Sequence, residues 1–354
     1  MPVRLYNTWI DQIRQLCPQA RKKILHNFTW LLVGIYLSQS VHLSKIANKI
    51  PGKAKLPSVV QRMSRLLQSA IRVRKWYSSM AETLLKSQAQ HGTVRLIVDG
   101  SKVSFHHQLL MVSIAYRRRA IPIVWTWVKG RGHSTAIKQL ALLTYVRNLI
   151  PDNVSVSVVG DCEFGAIAVL DRLDAWGWWY VLRQQSDVLI DLTLHNNWQR
   201  FGDVIQNPGQ SHWLDRGFLT KTHVYETYLL AHWKCGEKEP WLLATNYSSK
   251  RQALRAYRRR MWIEEMFGDF KGHGFNLEDS HLRHFLRLSR LTLAVVLLSV
   301  WLIAFGSHVI KNGQRSLVDR ADRRDFSIFR IGYNMIERLL TNSQPLKIVL
   351  IPYF

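Results

Sequence analysis

Two apolar stretches of this chain each end in an aspartate. VRLIV (residues 94–98) leads into Asp99, and VSVSVV (residues 154–159) leads through Gly160 into Asp161. Short runs rich in Val, Ile and Leu fit strands buried on both faces. Two strand-end aspartates can then meet at one edge of a sheet. Each also fits a plainer role, capping a turn beside the glycine next to it, Gly100 or Gly160.

A third acid stands in YRRRMWIEEMFGDFK, residues 257–271. Tyr257 is followed by Arg260 three positions on, Glu264 four further and Lys271 seven further. Read as one helix, residues 257–271 bring Arg260, Glu264 and Lys271 close to one face. A lone carboxylate among cations is a poor general base but a good metal ligand beside a bound polyanion. Glu265 is the rival acid. A shift of one residue turns a helical side chain by about 100°, so only one of the pair can face the aspartates. Asp269 and Glu163 are acidic neighbours with supporting roles expected. Oxygen-only ligands such as Asp99, Asp161 and Glu264 suit Mg²⁺, which keeps waters and also binds substrate phosphates. Two such ions can activate a water and stabilise a leaving oxygen in phosphodiester cleavage.

Charge narrows the partner. The chain of 354 residues carries a formal charge of +25. That excess repels itself and favours a polyanion. The basic residues run through every region, which fits a long track of double-stranded DNA better than a membrane anchor. Residues 291–305 (LTLAVVLLSVWLIAF) are the one membrane-like stretch. They fall short of the roughly twenty a spanning helix needs, so a buried core helix is expected, with no membrane partner. Cys17, Cys162 and Cys235 are too few for a disulfide framework and form no zinc pattern. With no apolar run behind the basic start MPVRLYNTWIDQ, a signal peptide is not expected, and a cytoplasmic location is.

At these residues the chain resembles the DDE transposases of bacterial insertion sequences, in the group named after insertion sequence four. The group's marker is Tyr-x2-Arg-x3-Glu-x6-Lys, and residues 257–271 match it at every marked position. VDGS (98–101), GDCEFG (160–165) and KGHGFNLEDSHL (271–282) add to the likeness, which spans roughly residues 31–340. The resemblance implies catalytic, metal-ligating roles for Asp99, Asp161 and Glu264. It implies that Tyr257, Arg260 and Lys271 hold phosphates of the element's terminal DNA, and Mn²⁺ is expected to substitute for Mg²⁺. Some members stack a flipped terminal base on an aromatic side chain. Trp233, Trp241 and Trp262 are the candidates here, although Met261 stands where some members carry Trp. Two ends must be cut and joined, so a homodimer in a DNA-bound synaptic complex is expected. The amphipathic stretch 326–340, with Ile328, Ile331, Met335 and Leu339 on one side, offers either a dimer face or a surface that packs on the chain's own core. The rivals are another RNase H-like DNA nuclease, such as a resolvase, and a non-catalytic DNA-binding regulator. The signature argues against the first and three intact acids against the second.

The pattern along the chain fits an α/β protein. Residues 1–90 read as a helical DNA-binding domain. Within it Ile46, Ile50, Val59, Val60, Met63, Leu66 and Leu67 form an apolar seam around a break at Pro51 and Gly52. Ser58 is expected to cap a second helix that offers Gln61, Arg62 and Arg65 to DNA, as in a helix-turn-helix. From residue 91 the order is strand, strand, strand, helix, strand, helix, strand. That order resembles an RNase H-like core, a mixed five-stranded sheet with helices, whose first part is placed at 91–186. A β-rich insertion is expected at 187–246, the second part of the core with the Glu264 helix at 247–310, and a helical region at 311–354. Arg117–Arg119 and Arg258–Arg259 are candidate DNA-backbone clamps.

Overall fold

The computed structural model describes every residue except 104–106, 130–133 and 194. Residues 1–90 are helical: α1 (Pro2–Leu16), α2 (Lys22–Ser38), α3 (Leu43–Ala47), α4 (Leu56–Gln68) and α5 (Val73–Ala89). In α4 the apolar residues Val59, Met63, Leu66 and Leu67 recur at helical spacing and are all buried. The cap differs from expectation. Lys55 precedes the helix without a side-chain cap, and Pro57 sits in its first turn. Ser58 is therefore already helical, because proline's fixed φ starts the helix earlier. The link from α3 to α4, residues 48–55, is longer than the three or four residues of a helix-turn-helix turn.

The sheet explains where the aspartates go. Strands β1 (Val94–Val103), β2 (His107–Tyr116) and β3 (Arg119–Lys129) form an antiparallel meander. After α6 (Ala136–Arg147), β4 (Val156–Gly160) returns parallel to β1. After α7 (Ile167–Ala175), β5 (Trp179–Arg183) lies parallel to β4. This is the anticipated mixed arrangement, with order β3-β2-β1-β4-β5. The region 187–246 supplies β6 (Leu189–Asp191), β7 (Gln199–Arg200), β8 (Ser211–Leu219), β9 (Tyr225–His232) and β10 (Trp241–Thr245). They do not form a sheet of their own. β10 hydrogen-bonds antiparallel to β5, and the sheet continues β5-β10-β9-β8-β6-β7.

The helices α8 (Lys250–Tyr257) and α9 (Met261–Phe270) are joined by a 3₁₀ turn, Arg258–Arg260. The single helix expected over 257–271 is thus broken, and Lys271 already leaves the helical conformation. α10 (Phe285–Lys311) is the one helix among the described residues long and apolar enough to cross a membrane. It is longer than its apolar run suggested, and every residue from 291 to 304 is buried inside the protein. α1–α5 cover part of it. Trp9 meets Trp301 edge to face at 5.1 Å, and Arg290 Nη1 donates to the Leu67 carbonyl at 2.8 Å. The buried residues of α1–α5, the sheet and α10 as far as Ile303 belong to one continuous core.

α11 (Ile328–Thr341) packs on α10. Gly306 and Gly332 meet there, and a Cβ on Gly332 would stand 2.0 Å from the Leu302 carbonyl oxygen. Ile331 and Met335 are buried against Val309. The amphipathic face of 326–340 is largely spent inside the chain.

Candidate active site

Strand register builds the site. Val98 pairs with Gly160 across β1 and β4. One step on, Asp99 stands beside Asp161, and side chains at paired positions of parallel strands share a face. Gly160 allows this closeness, since a Cβ there would meet Val98 Cγ2 at 2.6 Å. Contrary to the strand-end reading, β1 continues through Asp99 to Val103, held by β2. Asp161 does follow the end of β4.

Each aspartate splits its oxygens. Asp99 Oδ1 accepts from the Gly100 amide at 2.7 Å, and Asp161 Oδ1 from the Cys162 amide at 2.8 Å. Asp161 does cap the turn at Cys162–Phe164, whereas the Asp99 contact lies within β1, and each uses one oxygen. The second oxygens face Arg260, whose Nη1 lies 3.2 Å from Asp99 Oδ2 and 3.8 Å from Asp161 Oδ2. Arg260 Nη2 donates to Glu264 Oε1. One guanidinium therefore contacts all three acids. Burial pushes the Asp99 carboxyl up to about 7, against the pull of Arg260 and the Gly100 amide.

The three acids, Arg260 and Lys271 line one open cavity of about 350 Å³ at the sheet edge. α9 packs on β1, β2 and β3, which brings Glu264 to that edge. Glu265 turns the other way and pairs with Arg119 at 2.6 Å. Arg119 also approaches the buried Asp269 at 3.8 Å, so it braces the back of α9 rather than standing in solvent as a clamp. Lys271 Nζ donates to the Lys102 carbonyl at 2.8 Å and pairs with Glu278. Glu163 accepts from Gln108 Nε2 at 2.7 Å, tying the turn after Asp161 to β2.

Other expected residues do not line that cavity. Tyr257 is buried, 1% exposed, with its ring against Trp241 at 5.0 Å. Trp241 lines a basic cleft of about 860 Å³ together with Arg183, Lys234, Lys238, Arg258 and Arg260. Trp233 donates its indole N–H to the Glu237 carbonyl and does not line that cleft. Trp262 lines a different cleft, of about 910 Å³, with Arg117, Arg118, Arg315 and Arg324. Gln61, Arg62 and Arg65 are on α4, away from the cavity's lining. Gln61 and Arg65 are exposed, whereas Arg62 is half-buried.

The reading of the sequence missed Arg183. Its Nη1 lies 3.9 Å from Asp161 Oδ1. Gly160 pairs with Leu182 in β4 and β5, so the residues that follow them, Asp161 and Arg183, had to be neighbours. Once the two strands are taken as parallel, that pairing is readable.

Three carboxylates suit a hard divalent cation, and Asp99 is buried enough to want a positive partner. In the present arrangement Arg260 is that partner. Among the described residues, no three His, Cys, Asp or Glu side chains are arranged to hold a metal ion. The donors are carboxylates only, the kind that suit a hard divalent cation, and Arg260 contacts all three.

A search of curated proteins finds no match to this chain. The family model described as a transposase DDE domain matches residues 90–301, more than half of the sequence and the whole stretch holding Asp99, Asp161 and Glu264. The mixed sheet that sets the two aspartates side by side agrees with that match, and the chain belongs to the DDE transposase family.

Proposed function

We propose that this chain cleaves DNA at transposon ends and joins those ends to target DNA, as a member of the insertion-sequence-four group. The observation that carries the reading is the gathering of Asp99, Asp161 and Glu264 around one cavity, with a basic cleft sharing Arg260. Asp99, Asp161 and Glu264 would hold Mg²⁺, or Mn²⁺, which supplies the charge that activates water and stabilises the leaving oxygen. The protein's own groups bind and orient the DNA. Arg260 offers a planar fork suited to a phosphate, and Lys271 a point charge at the opposite end of α9. Arg183, Lys234, Lys238 and Arg258 line the path of the backbone through the cleft. Trp241, half-buried in that cleft, is better placed than Trp233 or Trp262 to stack an unpaired base. Tyr257, buried under Trp241, supports Arg260 and does not meet the phosphate itself. Gln61 and Arg65 on α4 face outward and are proposed to read the terminal repeats. One chain carries one set of three acids, so two chains would pair two ends in a homodimer on DNA.

A donor plasmid carrying the gene with its natural flanks tests this. Excision at fixed ends with Mg²⁺, and joining to a target plasmid, is the expected outcome. Nicking without selection of ends would instead make the protein a general nuclease.

A further inference from the structure

Arg260 has two neighbourhoods. In the acid cavity it contacts Asp99, Asp161 and Glu264. It also lines the basic cleft, beside Arg183, Arg258 and Met261. The side chain is 10% exposed, so its charge acts in a poorly screened setting. Opposite charges a few ångströms apart attract strongly where solvent screens them little. A cation there satisfies the carboxylates and also opposes any second cation that approaches them.

We propose that Arg260 is the resident counter-cation of the acid cavity, and that DNA in the basic cleft draws it off, so that DNA binding and metal loading favour each other. The inference rests on the functional reading above. Without DNA, the guanidinium offsets part of the charge of the three acids and weakens the repulsion between Asp99 and Asp161. A phosphate in the cleft gives Arg260 an alternative partner within the reach of one side chain. Its departure exposes three carboxylates that then need divalent charge. The two bound states share this one residue, so the coupling is reciprocal. The physical consequence is restraint: the cleavage centre is completed only where DNA lies.

The test reads metal occupancy rather than cleavage. Mn²⁺ binding is followed by electron paramagnetic resonance on the full chain, alone and with a short random-sequence duplex, with the duplex alone as background. The wild type should bind Mn²⁺ weakly by itself and about tenfold or more tightly with the duplex. Arg260→Gln should bind Mn²⁺ tightly by itself and gain little from the duplex. Arg260→Lys, which keeps the charge, should stay weak without DNA. Equal Mn²⁺ affinity of the wild type with and without duplex overturns the proposal. So does an equal duplex gain in wild type and Arg260→Gln. The wild-type comparison needs no variant, so poor folding of Arg260→Gln leaves the test intact. A protein inactive in cleavage can still show the coupling, and an active one can lack it.

Discussion

At the residue scale, the site is a balance of buried charge. Asp269 shows this away from the acids. Burial pushes its carboxyl up to about 7, opposed by Arg119. Its ordinary value is 3.8, so between about pH 4 and pH 7 the native protein keeps a proton that the unfolded chain has lost. The stability that proton contributes is full below pH 4 and is lost as pH rises through 7. Asp269→Asn should therefore flatten the decline. At about pH 8 it should be more stable than the wild type by on the order of 1–3 kcal/mol, and at about pH 4 no more stable. Urea denaturation at the two pH values checks this, and an unchanged pH slope would refute it. Helical rotation said that only one of Glu264 and Glu265 could face the aspartates, and the resembled signature selected Glu264. Arg119 as the partner of Glu265 was not legible, since that pairing crosses 146 residues of chain.

At the element scale, buried strands and the apolar α10 were legible because their patterns are dense. Val, Ile and Leu in the runs before Asp99 and Asp161 leave few alternatives. β8 was not legible. Its residues are mostly half-buried or exposed, and Asp215 sits at positive φ in a register shift. The β2–β3 hairpin shows an element built against propensity. Its two turn residues, Arg117 and Arg118, have φ of 43° and 65°, where Asn-Gly is preferred. Replacing Arg117→Asn together with Arg118→Gly should stabilise the protein by about 1 kcal/mol. If the arginines are retained to touch DNA, the same variant should weaken duplex binding and reduce the log K against log salt slope by up to about 2. Unchanged DNA affinity would remove both from the DNA path. In α10, Leu298→Ala should cost about 2–5 kcal/mol, because a fully buried side chain leaves a cavity. Thermal denaturation reads that directly.

At the scale of the whole molecule, charge and core act together. A formal +25 suits a chain that binds DNA. α1–α5 share one core with α10. A composition change marks where strands begin, but it does not mark where burial stops. Removing residues 1–90 should therefore expose α10 and yield aggregated protein, as size-exclusion chromatography would show. A soluble, monodisperse truncation would contradict the shared core. Sequence preference is better tested with Gln61→Ala and Arg65→Ala in the full chain. The central claim is that Asp99, Asp161 and Glu264 form one metal-dependent cleavage centre. Its most direct measurement is nicking of supercoiled plasmid with Mg²⁺ by the wild type and by Asp99→Ala, Asp161→Ala, Glu264→Ala and Glu265→Ala. The account predicts nicking by the wild type, at least partial activity in Glu265→Ala, and none in the other three despite retained DNA binding. Robust Mg²⁺-dependent nicking by any of those three would contradict it.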